Sequence, residues 1–105
     1  MYITVADILA KATEAEIFEK YSGIQVKIGG KFCSPLRLDR NPTCSFMRDG
    51  AGRLILKDFS GHFYGDCFQF VMKKYNLSFY DGIRLVAQDF GIIREEEVFK
   101  PQPKE

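Results

Sequence analysis

Apolar residues recur at helical spacing at both ends of this chain and at strand spacing in the middle, so helices and a sheet must share one core. At the start, Thr4 can cap a helix with Val5, Ile8, Leu9 and Ala12 on one face. Thr13 with Glu16 has the pattern of a capping box for a second helix, with the stripe Ile17, Phe18 and Tyr21 and with Gly23 placed to end it. The period then drops to two. Ile24, Val26 and Ile28 alternate ahead of Gly29-Gly30, which predicts a short hairpin over 24–32. Cys33 to Thr43 has no apolar period and holds Pro35 and Pro42, the pattern of an ordered loop. Cys44–Arg48 and Arg53–Lys57 flank Asp49-Gly50-Ala51-Gly52, a hairpin with a four-residue turn. Asp58–Tyr64 reads as a further strand or loop. Helical spacing returns after Asp66 and Gln69, another capping box, with Cys67, Phe70, Val71 and Tyr75 on one face and Asn76 as a left-handed stop. Ser78 caps the last helix, whose face is Phe79, Ile83, Val86, Ala87 and Phe90, with Gly91 after it. The order helix, helix, strands, helix, helix makes an α+β domain.

The chain has 105 residues, enough for one small core and not for two. The domain is expected over 1–91, and residues 92–105 read as a charged, Pro-containing tail or linker. Apolar residues at 46% and charged residues at 28% exclude a disordered chain. No run approaches the roughly 20 apolar residues of a membrane span, and Met1-Tyr2-Ile3-Thr4 lacks a signal-peptide pattern. A cytoplasmic location is expected. The three cysteines cannot all pair within the chain, which argues against a disulfide framework.

Net charge is +1, but it is unevenly spread. Residues 25–57 carry Lys27, Lys31, Arg37, Arg40, Arg48, Arg53 and Lys57 against Asp39 and Asp49, whereas the flanking segments are mildly acidic. A basic middle third can follow a phosphate backbone; the competing reading is a plainly solvated strand surface.

The stretch Ser34-Pro35-Leu36-Arg37, four residues, then Pro42-Thr43 resembles the zinc-finger motif at the start of bacterial and phage DNA primases. That motif reads Cys-Pro-Phe-His, four residues, then Pro-Ser-Phe. Downstream, the family has a Cys-x-x-Cys pair, a few residues, then Gly-Asp or Gly-Asn opening a helix; here Gly65-Asp66 opens a helix holding Phe70-Val71-Met72. Asn76-Leu77-Ser78-Phe79 and 83–87 resemble the family's next helix, and 17–32 is similar to its helix, basic strand and Gly-containing turn. The likeness covers 15–91. It implies a small antiparallel, zinc-ribbon-like sheet flanked by N-terminal and C-terminal helices.

On this alignment the four ligand positions fall on Ser34, Arg37, Asp58 and Gly61. A structural zinc site needs four nitrogen or sulfur ligands in a tetrahedron, and these residues cannot supply it. The domain is therefore expected to be metal-free, with no cofactor, and Arg37 is expected to pair with Asp58 where the ion would have joined two loops. A rival is displaced ligation by Cys33, Cys44, Cys67 and His62, the family's own ligand types at unrelated spacings. Against it stands burial of the cysteines as small hydrophobes, with His62 capping a loop or facing solvent.

In the family this domain helps to select and hold single-stranded template, and the resemblance implies a module of DNA replication in a bacterium, phage or mobile element. The phosphate candidates are Lys27, Lys31, Arg40, Arg48, Arg53 and Lys57, with Arg53 and Lys57 on one strand face by alternation. Phe63 and Tyr64 are the stacking candidates; for Phe46 core burial is the better reading, and Tyr2 and Tyr80 fit a plain surface equally well. No catalytic constellation is present: Asp58 and Asp66 could suggest a magnesium pair, but Asp66 serves better as a helix cap. In primases the polymerising chemistry lies in a separate domain, so the chain is either part of a longer primase or a stand-alone protein. A primase catalytic domain or a replicative helicase is the expected further partner. The alternative is a metal-free scaffold used as a protein-interaction module or inhibitor of a host or replication protein. An unrelated α+β domain of chance similarity is the third reading.

Overall fold

The computed structural model describes residues 3–36 and 41–92. Four helices and a four-stranded antiparallel sheet make an α+β domain. The helices are α1 (Val5–Leu9), α2 (Glu14–Ser22), α3 (Cys67–Tyr75) and α4 (Phe79–Asp89). The strands are β1 (Lys31–Phe32), β2 (Cys44–Arg48), β3 (Leu54–Asp58) and β4 (Tyr64–Gly65), adjacent in that order. No described helix is long and apolar enough to cross a membrane.

Helix ends form where a short side chain can satisfy the orphan amides of a first turn. Thr4 with Asp7, Thr13 with Glu16 and Asp66 with Gln69 each make a reciprocal capping box, and Ser78 accepts from the Asp81 amide. Gly23 (φ +73°) and Asn76 (φ +55°) close α2 and α3 in the left-handed conformation, each donating to a carbonyl four residues back. The expected 49–52 turn is also present: Asp49 Oδ1 accepts from the Ala51 and Arg53 amides, both at 2.9 Å.

The hairpin expected over 24–32 does not form. Ile28 makes an isolated parallel bridge to Phe46, the Gly29 amide donates to the Phe46 carbonyl, and Lys31–Phe32 pairs antiparallel with Cys44–Ser45. Both sides of the Gly29-Gly30 turn therefore bond to β2, whose five residues offer a longer ladder and whose Phe46 stacks on Phe32 at 4.9 Å.

The core lies between one sheet face and the helices. Phe18 is its hub, edge-on to Phe46 at 5.0 Å and tilted on Phe70 at 5.7 Å; each ring contributes about 1.5–3 kcal/mol by burial. Ile8, Ile17, Leu54, Leu56, Phe68, Val71 and Val86 close around it. Three residues assigned to helical core faces lie outward instead: Leu9 is 37%, Tyr75 44% and Phe79 49% exposed. Each sits at the first or last turn of its helix. Tyr75 still meets Tyr21 edge-on at 6.0 Å. Past Gly91, Ile92 donates to the Ala87 carbonyl and packs on the core, while the rest of the expected tail, 93–105, lies outside the described residues.

Candidate functional site

Two regions concentrate the chemistry: the loop between β3 and β4, and the sheet face away from the helices.

The register Phe32–Cys44–Asp58 runs across three strands, so the chain just after β1 and the end of β3 lie at the same end of the sheet. Ser34 and Asp58, two of the expected former ligand positions, consequently line one cavity of about 180 Å³. Ser34 is buried, and its hydroxyl accepts from the Leu36 amide at 3.2 Å. Asp58 is 3% exposed. Its Oδ1 accepts from the Ser60 amide at 2.9 Å and from the Ser60 hydroxyl at 2.6 Å, folding the loop back on the strand. The Gly61 amide donates to the Asp58 carbonyl, and Gly61 takes φ +90°, which suits a residue without Cβ. His62 Nδ1 lies 2.7 Å from the Ser60 hydroxyl with its side chain mostly exposed, as expected of a loop-capping histidine. A closed turn built on a buried carboxylate thus occupies 58–62. Arg37, the expected partner of Asp58, lies outside the described residues, as does Arg40.

The displaced-ligand set does not assemble. Cys44 and Cys67 are fully buried whereas Cys33 is exposed. Among the described residues no group of three His, Cys, Asp or Glu side chains is placed to hold a metal ion. Burial pushes the Cys67 thiol well above its ordinary range, with the neighbouring Asp66 carboxylate adding to the effect.

On the face away from the helices, the register aligns Lys31, Ser45, Lys57 and Tyr64 in one row across all four strands. Tyr64 is 56% exposed, and Phe59, next to Lys57, is 59% exposed. The Lys57 ammonium stands 4.8 Å over the Phe59 ring in a cation–π contact. No ion pair among the described residues involves Lys31 or Lys57.

Other expected site residues go elsewhere. Arg53 is not beside Lys57: it turns to the N-termini of α2 and α3, bonding Asp66 and lying 3.9 Å from Glu14. Two carboxylates at helix starts attract it more strongly than solvent does, so it ties the hairpin to the helices. Phe63 is not an open stacking surface either. It packs on the core, edge-on to Phe70 at 6.2 Å, because it is the inward member of the alternating pair Phe63-Tyr64. Arg48 is exposed but donates to the Gly52 carbonyl across its own turn, and Lys27 is exposed beside the Ile28 bridge, outside the row.

Sequence reasoning missed Phe59 and Lys73. Phe59 follows a buried aspartate and sits in no periodic run, and only the outward turn of the loop exposes it. Lys73 reads as an ordinary helix-surface cation, yet it stands beside Lys57 and Tyr64 along one groove. Comparison with protein-family models, with curated proteins and with solved structures finds no match for this chain.

Proposed function

We propose that this domain is a primase-like module that binds single-stranded DNA on the outer face of its sheet and takes part in DNA replication without being catalytic itself. The observation that carries the reading is the register row Lys31–Ser45–Lys57–Tyr64 with Phe59 open beside it. Lysines spaced across a sheet face suit successive phosphates of one strand, and open rings accept unpaired bases, each stack worth about 1–3 kcal/mol. The resemblance of 34–43 and 65–72 to primase zinc-finger motifs points to the same ligand, with the Asp58 turn in place of a metal knuckle and no cofactor required. A primase catalytic domain or a replicative helicase is the partner this role calls for, in the cytoplasm.

The test is fluorescence anisotropy with a labelled single-stranded oligonucleotide at low salt. Binding should weaken as salt rises, with a slope of about −0.7 in log K against log salt per phosphate neutralised. Lys57→Ala should flatten that slope by one such step. Absence of binding at low salt removes the reading. A second reading, docking on a host or replication protein, draws on the exposed rings of Tyr75, Phe79 and Tyr80 around the α3–α4 junction. Variants of these rings should leave the oligonucleotide affinity unchanged if that patch serves a protein partner.

A further inference from the structure

Between β4 and α3, two adjoining hollows of about 410 Å³ and 480 Å³ share the walls Phe63, Tyr64 and Lys73. Each lies within the range of small-molecule sites, about 300–1,000 Å³. Their chemistry is graded from one end to the other. Lys57, His62 and Lys73 border the first hollow, whereas Asn76 and Leu77 border the second, with the exposed Tyr64 ring between them. Among the described residues the carboxylate at the cationic end is Asp58, whose side chain is 1% exposed, with Oδ1 accepting from Ser60 and Oδ2 4.0 Å from His62 Nδ1. Lys73 takes part in no ion pair among the described residues.

We infer that this groove seats one phosphorylated nucleotide, its phosphate between Lys57 and Lys73, its base on Tyr64 and the base edge towards the Asn76 amide. Two lysines on the border of one hollow suit a phosphate dianion or diester, which a neutral ligand would not exploit. A flat ring next to them suits a base, since every base presents a π-face. An amide offers both a donor and an acceptor to a base edge. The nucleotide can be one residue of a strand that has crossed the sheet face, or a free nucleoside phosphate; the recognising chemistry is shared. The inference rests on the nucleic-acid reading above and adds a seat at the β4 end of the sheet row, between the sheet and α3, with Lys73 as its diagnostic residue.

The experiment measures two probes, a short labelled oligothymidine by anisotropy and thymidine 5′-monophosphate by amide chemical-shift titration. Both are applied to the full chain and to its Lys73→Ala, Lys31→Ala and Lys11→Ala variants. Lys73 is exposed on α3, and thermal melts confirm that each variant is folded. Loss of one phosphate contact should weaken binding about fivefold to tenfold. If Lys73→Ala weakens both probes, the groove takes free nucleotides as well as strands. If it weakens the oligonucleotide alone, the groove takes a nucleotide of the strand. Both outcomes support the seat, with shifts at Asn76 and Leu77 marking its far end and Lys11→Ala leaving affinities unchanged. If Lys31→Ala weakens the oligonucleotide while Lys73→Ala leaves both probes unchanged, the seat is overturned and the sheet-face reading stands. If the wild-type chain binds neither probe, both fall.

Discussion

Replacing Asp58 by alanine tests whether its carboxylate holds the 58–62 turn. The Asp58 side chain is 1% exposed and receives two hydrogen bonds from Ser60, at 2.9 Å and 2.6 Å. Bonds to a buried charge are worth about 1.5–3 kcal/mol each. Ser60 is exposed, so its amide and hydroxyl can turn to water in the variant, and roughly half of that sum is recovered. The net cost of Asp58→Ala is therefore about 1.5–3 kcal/mol. Asp58→Asn keeps a neutral acceptor at Oδ1 and should cost about 1 kcal/mol. For a domain of this size each kcal/mol lowers Tm by about 4–8 °C. Thermal melts followed by circular dichroism should thus show a drop of about 6–24 °C for alanine and a smaller one for asparagine. A chelator should leave the wild-type Tm unchanged. An alanine variant that melts with wild type, or a wild-type chain that loses Tm on chelation, refutes the idea that this turn is held by its own side chains.

Three further outcomes follow from the geometry. A Cβ at Gly65 would lie 2.7 Å from Gln69 Oε1 and 3.0 Å from the Phe63 ring, so Gly65→Ala must open the Asp66–Gln69 capping box. Urea unfolding should report a loss of about 1–2 kcal/mol; no loss would show that the box yields freely. Arg53→Ala leaves Glu14 and Asp66 without the guanidinium they share, costing about 1–2 kcal/mol for a half-exposed cation. Adding Glu14→Gln should restore part of that loss, and strict additivity of the two changes would count against the shared ion pair. The Tyr21 phenol is pushed above its ordinary 10.0 by burial first and by the hydrogen bond it donates to Asp89 second. A group whose folded-state pKa is raised stabilises fully below its unfolded pKa and is lost as pH rises through the folded one. Stability should accordingly decline above about pH 10, and Tyr21→Phe should flatten that alkaline limb in urea titrations at stepped pH. An unchanged limb would remove Tyr21 as its cause.

What the amino-acid sequence alone determined is what acts within a few residues. Thr13 with Glu16 and Asp66 with Gln69 close capping boxes over three positions, Gly23 and Asn76 end helices on their own backbone, and Asp49 organises its turn by itself. No distant partner is needed, so these features were legible, and with the apolar stripes of α2 and α3 they establish the α+β class. The tertiary structure decided what depends on partners far along the chain. Whether Lys31–Phe32 pairs with 24–28 or with β2 depended on which ladder was longer. Arg53 was drawn from the sheet face by Asp66, thirteen positions on, and by Glu14, whose helix start also receives the Leu54 amide. Only the assembled register aligns Lys31, Lys57 and Tyr64 and brings Lys73 beside them. Short strands of two residues carry too little periodicity to show which side chain faces out, so the candidate site emerges from packing and not from pattern.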